Sequence, residues 1–267
     1  MKNIYRVIAA SLIFVCVLPT AVGQDSSADL AKKLQNPVAA LISVPIKYSY
    51  DTGIGPVDAD RDLYLVQPVI PVSLNDDWNI ISRTIVPVYI KADAPTMNSK
   101  DLSGTGDVLQ SLFFSPKALT STGWIWGVGP ALSAPFANED LLGTEKWSAG
   151  PTAVLLKQSN GWTYGALANH LWSFAGDDDR EHVNATFLQP FVSFTTKNST
   201  TWNVNSESIY DWKTEESIVP INFTVSQLMK IGQQPLSLGL VYRNYVDAPA
   251  LGPDWGMSFI VTLLFIK

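Results

Sequence analysis

The sequence has little charge and almost no cysteine or histidine. Of its 267 residues, one is cysteine and two are histidine, and charged residues make up 16%, against roughly 25% in a typical soluble domain. The single cysteine, Cys16, excludes a disulfide within the chain and a zinc site built on paired cysteines. The net charge of −6 argues against nucleic acid as a partner.

Several motifs and segments of known chemistry are also absent. The sequence has no phosphate-binding Walker loop, no dinucleotide fingerprint, no Gly-x-Ser-x-Gly elbow and no metal-ligand spacing of Cys and His. We therefore expect no cofactor, no metal and no enzymatic activity. After the N-terminal region there is no apolar run of about 18 residues, so the sequence predicts no transmembrane helix.

Residues 1–23 have the features of a secretory signal peptide. Lys2 and Arg6 form a basic start, residues 8–18 are an apolar run, and Ala21-Val22-Gly23 is a small-x-small cleavage site. The run is too short to cross a membrane as a helix, and polar chain follows it. The pattern predicts an exported protein.

Residues 24–37 are predicted to form a short periplasmic helix and linker. In residues 27–35, Leu30 and Leu34 lie four residues apart and share one helical face, and Asn36-Pro37 ends the pattern.

From residue 38 to 267 the hydrophobic period is two rather than 3.6. In residues 41–51 the even positions are apolar or aromatic, whereas the odd ones include Ser43, Lys47 and Ser49. Each segment is long enough to cross a bilayer at a tilt. Twelve such segments are predicted, near residues 41–51, 62–74, 78–91, 106–115, 123–134, 147–157, 161–174, 184–196, 200–212, 217–230, 233–246 and 254–267.

The connections and the aromatic residues favour a membrane barrel over a soluble sandwich. Long, often acidic connections alternate with mostly short ones, and an even strand number leaves both termini in the periplasm. The nine Trp and nine Tyr residues are mostly at segment ends, as in the interfacial girdles of outer-membrane proteins. We predict an all-β fold: a single antiparallel transmembrane β-barrel of about twelve strands in the cell outer membrane, in contact with its lipid. A secreted β-sandwich is the minor alternative.

Strand alternation also identifies side chains that would face the lumen. Counting from the hairpin turns places two groups of polar residues at similar heights, one on the first three strands and one on four adjacent later strands. As a charged ring they would select solutes, or they would pair to fill a narrow barrel. These predicted pore-lining residues are Lys47, Gln67, Arg83, Gln189, Glu207, Asn222 and Arg243.

Two other features contain residue types that occur in functional sites. The acidic loops 58–60 and 177–179 lack the ligand spacing of calcium loops and are predicted to be solvated. His170 could be the base of a lipase, but its neighbour Asn169 points to the opposite face of a strand. His170 shares its face with aromatic residues, which favours a position at the membrane interface.

Several short segments of the mature chain carry a resemblance to known proteins: 30–37 (LAKKLQNP), 41–45 (LISVP), 67–71 (QPVIP), 82–84 (SRT), 104–107 (GTGD), 111–116 (SLFFSP), 124–130 (WIWGVGP), 150–152 (GPT), 168–176 (ANHLWSFAG) and 210–212 (YDW). In these segments the chain resembles a bacterial family of exported "transporter" proteins, often catalogued as neuromedin U. It also resembles outer-membrane proteins associated with meta-pathway phenol degradation. The resemblance covers nearly the whole mature chain. It implies an outer-membrane barrel, and Phe265 stands near where such barrels have the aromatic residue that their assembly machinery uses.

The leading hypothesis is therefore a passive outer-membrane channel for small solutes, hydrophobic or aromatic ones among them. The expected partners are membrane lipid, a small-molecule solute and the barrel-assembly machinery. The alternatives are a closed barrel with a structural or partner-docking role and an outer-membrane lipase.

Overall fold

The computed structural model of the chain describes residues 27–93 and 100–266. The predicted signal peptide, residues 1–23, lies outside this range. Within these described residues, one α-helix, α1 (Ser27–Leu34), precedes fifteen β-segments. These are β1 (Ile42–Ile54), β2 (Ala59–Val66), β3 (Val69–Ser73), β4 (Trp78–Ala92), β5 (Leu102–Gly104), β6 (Val108–Pro116), β7 (Trp124–Ala134), β8 (Lys146–Ser159), β9 (Trp162–Gly176), β10 (Asn184–Thr195), β11 (Thr200–Ser206), β12 (Ser208–Asp211), β13 (Glu216–Ile231), β14 (Gln234–Asp247) and β15 (Trp255–Phe265).

The segments form one closed antiparallel barrel of twelve strands, which confirms the predicted fold class. Three of the twelve strands are interrupted and consist of two segments each: β2 with β3, β5 with β6, and β11 with β12. The barrel closes where β15 pairs with β1, from Ile42 opposite Phe265 to Thr52 opposite Trp255. Within the described residues no helix is long and apolar enough to cross a membrane.

The connections divide the barrel into two ends. The loops that join β1 to β2, β4 to β5, β7 to β8, β9 to β10, β12 to β13 and β14 to β15 are at one end, called here the loop end. The tight turns 160–161 and 232–233 are at the opposite end, called here the turn end. This division follows the predicted alternation.

The outer surface of the barrel is apolar. Large hydrophobic side chains in strand centres are exposed, for example Leu188 at 46%, Phe223 at 50% and Leu240 at 58%. Aromatic residues lie towards both strand ends, with Trp162 and Trp202 at the turn end and Trp172 and Trp212 at the loop end. An exterior of this kind matches a bilayer: apolar in the middle and aromatic at both interfaces.

The inner face of the barrel is mostly small and polar. Serine and threonine hydroxyls occupy much of it; the buried examples include Ser49, Ser111, Ser148, Thr163, Ser193, Thr201, Ser237, Ser258 and Thr262. The side-chain period of two therefore separates a lipid-facing set from a lumen-facing set, as the sequence predicted.

Strand prolines disturb the register of the barrel at some positions and not at others. The register shifts by one residue beside Pro87 and beside Pro220, and Pro68 lies in the break between β2 and β3. In contrast, Pro45 and Pro190 are in regular register. A proline keeps the register where the neighbouring strand does not require its missing N–H.

Helix α1 lies inside the barrel at the turn end. Leu30 and Ala31 are 1% and 2% exposed, and they pack with the inward-facing Leu228 and Leu264 and with Leu41. On the other side, Gln158 Nε2 donates to the carbonyl oxygen of Lys32 at 2.8 Å. The sequence predicted the helix but not its position in the lumen.

The chain between α1 and β1 also packs into the lumen. Val38 belongs to an apolar patch on the inner wall, with Ile81, Phe113, Val154, Leu156 and Leu167. Gly127 leaves room for it, because a Cβ there would lie 3.1 Å from Val38 Cγ1. We call residues 27–41 the N-terminal plug, since they fill the turn end of the lumen between two apolar contacts.

The loop between β7 and β8 is fastened to the break between β5 and β6 at the loop end. The Asp107 carboxylate, just before β6, accepts hydrogen bonds from Ala137 N at 3.2 Å and from Thr144 N and Oγ1 at 2.7 and 2.8 Å. Asn138 Oδ1 accepts from Thr105 N at 2.6 Å. The loop between β7 and β8 is thereby held against the edge of the barrel.

Candidate functional site

A cluster of charged side chains crosses the lumen between the N-terminal plug and the loop end. We call it the lumen charge cluster: Lys47, Asp51, Arg61, Arg83, Glu207 and Arg243. Lys47 Nζ on β1 lies 3.6 Å from Glu207 Oε2, in the break between β11 and β12. Strands β13, β14 and β15 separate these two residues along the wall, so their ion pair spans the interior.

Asp51 is the most buried member of the cluster. Its side chain is 0% exposed and lies 3.0 Å from Arg243 Nη1 and 2.9 Å from Arg61 Nη2. The hydroxyl of Tyr245 donates to Asp51 Oδ1 at 3.0 Å. Because removing a buried carboxylate from water is costly, these three partners are what keep Asp51 stable in the wall.

A glycine between the strands allows Asp51 to reach Arg243. Gly256 on β15 is opposite Asp51 on one side and opposite Arg243 on the other. A Cβ at Gly256 would lie 2.3 Å from Asp51 Oδ1. The ion pair therefore crosses β15 through the space that a side chain would occupy.

Amide side chains extend the cluster along three neighbouring strands. Arg243 Nε donates to Asn222 Oδ1 at 2.9 Å, and Asn222 Nδ2 donates to Asn205 Oδ1 at 2.9 Å. Gln189 Nε2 lies 3.5 Å from Glu207 Oε1, at the limit of a hydrogen bond. Glu207 also lies 3.8 Å from Arg243 Nη2.

Arg83 and Gln67 lie towards the plug and face a cavity. This cavity, which we call the plug cavity, has a volume of about 170 Å³ between the N-terminal plug and the inner wall. Gln189 and Ser43 also line it, with Leu41, Val69 and Leu167 as apolar neighbours. A second cavity of about 260 Å³ shares Gln67 and Gln189 with it and continues towards β13 and β14.

All seven residues predicted from the sequence to line the pore are on the inner face of the barrel. Five of them, Lys47, Gln189, Glu207, Asn222 and Arg243, belong to one contact network. Gln67 and Arg83 line the plug cavity beside it. Their role in transport stays a prediction.

The sequence reasoning missed Asp51, Arg61 and Tyr245. Asp51 has the same odd parity as Lys47, and Tyr245 has the same parity as Arg243, so alternation alone could have placed both in the lumen. Their contacts with Arg243 join strands that are remote in the sequence, and local patterns do not carry that information.

The two histidines lie towards the loop end. The His170 ring contacts Trp172 at an interplanar angle of 51°, with 4.0 Å between ring centroids, and its Nδ1 lies 2.7 Å from Thr186 Oγ1. His182 Nδ1 lies 3.1 Å from Ser173 Oγ, which also accepts from Val183 N. Within the described range no carboxylate or amide side chain bonds to either ring, so the acid-supported base of a serine hydrolase is not assembled there.

Acidic loops do not assemble a metal site in the described residues. No group of three or more His, Cys, Asp or Glu side chains is arranged there to hold a metal ion. In loop 177–179, Asp177 Oδ1 instead accepts from the backbone N–H of Asp179 at 2.8 Å.

Comparisons with known proteins agree with the fold. No protein-family model matches the sequence, and no curated protein matches it either. Among solved structures, an outer membrane channel from Pseudomonas putida F1 superimposes with a TM-score of 0.66 at 13% identity, covering 85% of this chain and 96% of that one. The calcium-bound outer membrane phospholipase dimer of Salmonella typhi gives a TM-score of 0.51 at 10% identity, covering 92% and 99%.

At these identities the similarity concerns the fold. The chain has the architecture of an outer-membrane β-barrel, which agrees with its apolar exterior and with the predicted location in the cell outer membrane. The resemblance to the "transporter" family implied this architecture; the family itself stays a prediction. The channel and phospholipase neighbours share the fold, so the function has to be argued from the lumen.

Proposed function

We propose that this protein is a passive outer-membrane channel for small solutes, hydrophobic or aromatic ones among them. One observation carries the proposal: the barrel encloses a polar lumen with a cluster of charges across it, beside cavities of about 170 and 260 Å³. Buried charges are costly to a barrel that only needs to be stable. Charges and cavities on a continuous inner face are what a selective path requires.

In this proposal the N-terminal plug closes the turn end, and the lumen charge cluster selects among the solutes that enter. A solute would meet Arg243, Lys47 and Glu207 first when it comes from the loop end, and then the plug cavity. The cavity wall combines polar groups with Leu41, Val69 and Leu167. Mixed walls of this kind suit small molecules with an apolar body.

Single-channel conductance in a planar bilayer tests the proposal. The protein is purified from membranes, and its heat-dependent electrophoretic mobility verifies that it is folded. Its conductance should then show discrete open steps. The double variant Arg83→Ala and Arg243→Ala should change the cation-to-anion permeability ratio, because two of the cluster's positive charges are lost. Permanently silent, folded barrels would refute the channel proposal.

A closed structural barrel is the second candidate, and the plug is the observation that favours it. Residues 27–41 occupy the lumen through two apolar contacts, at Leu30 and at Val38. Silence of both the wild-type protein and a variant with a displaced plug would favour this role.

A further inference from the structure

Arg83 is the exception among the cations of the lumen charge cluster. Lys47, Arg61 and Arg243 each lie within 3.6 Å of a carboxylate oxygen. In residues 27–93 and 100–266, the Arg83 guanidinium has neither a hydrogen bond nor an ion pair. The carboxylates Asp51 and Glu207 are already engaged by the other cations, so the cluster keeps an excess of positive charge at Arg83.

The position of Arg83 is fixed by its strand. On one side Arg83 is opposite Val69, which is itself opposite Ser43. On the other side, Gln110 Nε2 donates to the carbonyl oxygen of Arg83 at 3.3 Å and to Ser82 Oγ at 3.0 Å. The guanidinium is therefore presented to the plug cavity from a well-anchored backbone.

Two further polar groups beside Arg83 are also unused. The Ser43 hydroxyl and the Gln67 side-chain amide line the same cavity, and neither has a side-chain hydrogen bond to the described part of the chain. Together with Arg83 they offer a guanidinium fork, an N–H₂ group and an O–H group. This donor set fits an acceptor with two oxygens and a negative charge, and a planar carboxylate is the group that an arginine fork binds bidentately.

The rest of the cavity wall is mixed: Lys33, Asn36 and Gln189 also line it, and Leu41, Val69 and Leu167 are among its apolar residues. At about 170 Å³ the plug cavity is smaller than the roughly 300–1,000 Å³ pockets of drug-sized ligands, so it suits one small molecule.

We propose that the plug cavity is a binding site for a small organic carboxylate with an apolar body, of the size of an aromatic acid such as benzoate. The carboxylate lies on the Arg83 fork with Ser43 and Gln67 as additional donors, and the ring packs on Val69 and Leu167. The site deepens the proposed channel function, since such an acid would be the solute carried. Binding is nevertheless measurable without transport.

The test is ligand binding to the full protein, extracted in a non-ionic detergent, followed by fluorine NMR of 4-fluorobenzoate. The neutral analogue 4-fluorobenzyl alcohol has the same ring without the charge. We expect saturable binding of the acid and at least tenfold weaker binding of the alcohol, because a charge-assisted hydrogen bond is lost.

Three variants make the test specific. Arg83→Gln should weaken binding of the acid about tenfold or more. The affinity of Arg83→Lys should lie between those of the wild type and Arg83→Gln, since lysine keeps the positive charge but cannot bind a carboxylate bidentately. The matched control is Lys91→Gln, which removes a positive charge from the exposed loop end of the same strand, outside the lumen charge cluster and the plug cavity, and should change the affinity less than twofold. If Arg83→Gln does not fold, Arg83→Lys and Gln67→Leu carry the test, and both should weaken binding.

The proposal fails if the folded Arg83 variants bind the acid as the wild type does, if the alcohol binds equally well, or if Lys91→Gln weakens binding as much as Arg83→Gln. The bilayer recording separates this result from the proposed function. Binding by a silent barrel supports the site and refutes the channel, whereas conductance without binding supports the channel and refutes the site.

Discussion

The position of α1 inside the lumen leads to a prediction about Leu30. Leu30→Asp should displace the N-terminal plug from the turn end. Leu30 is 1% exposed and packs on Ala31, Leu228 and Leu264. Its removal loses about 1.5–3 kcal/mol of apolar burial, and an unpaired carboxylate in its place adds several kcal/mol.

A loss of about 4 kcal/mol shifts the ratio of docked to undocked plug by a factor of roughly 10³. Helix α1 should then melt, because helices shorter than about 12–15 residues are marginal in water without packing. Single-channel conductance should rise, since the plug occupies the lumen. Trypsin should cut at Lys32 and Lys33, which the docked helix protects.

Ala40→Asp is the matched control. Ala40 belongs to the same plug but is exposed, so the added carboxylate stays in water and both assays should give the wild-type result. Unchanged conductance in a Leu30→Asp barrel that trypsin does cut would contradict the occlusion of the lumen by residues 27–41. Protection from trypsin would instead contradict the calculated loss of packing.

Three further predictions concern packing, a loop contact and the lipid-facing surface. Gly256→Ala should lower the unfolding free energy, measured by urea titration of the folded barrel, by about 1–3 kcal/mol, because the new methyl group overpacks the wall. Gly239→Ala is the control: the atom nearest to its new Cβ would be 3.5 Å away, so the unfolding free energy should change little. Asp107→Ala should make the loop between β7 and β8 sensitive to limited proteolysis, because three hydrogen bonds to that loop are lost. The stability of the barrel should not change, and equal cleavage of wild type and variant would contradict the prediction. Leu240→Arg, at the centre of a lipid-facing strand, should cost about 2–4 kcal/mol of folding free energy in vesicles, whereas Leu119→Arg, in an exposed turn, should fold normally.

The sequence by itself determined the architecture, and the physical reason is the period of two. In a strand between lipid and a polar lumen, apolar and polar side chains must alternate residue by residue. Each membrane-crossing strand can therefore be recognised in the sequence. For example, the segment predicted at residues 123–134 is β7 (Trp124–Ala134), and that predicted at 184–196 is β10 (Asn184–Thr195). The same alternation placed Lys47 and Arg243 on the inner face.

The position of a residue along the barrel axis could also be predicted in part from the sequence, because the hairpin turns fix the register of adjacent strands. That is how Asn222 and Arg243 could be matched, and they are opposite each other in β13 and β14. Counting of this kind cannot show which side chains meet across the lumen. The contact of Lys47 with Glu207 depends on the closed circumference and on the width of the interior.

Only the tertiary structure decided what fills the lumen. Leu30 and Leu34 give the same amphipathic pattern whether α1 lies free in the periplasm or packs inside a barrel. The surface that receives them, with Leu228 and Leu264, comes from strands distant in the sequence. The sequence also could not predict that Arg83 has no ion pair with the described residues. A cation in the lumen gives the same sequence pattern whether the nearby carboxylates are free or already paired with Lys47 and Arg243.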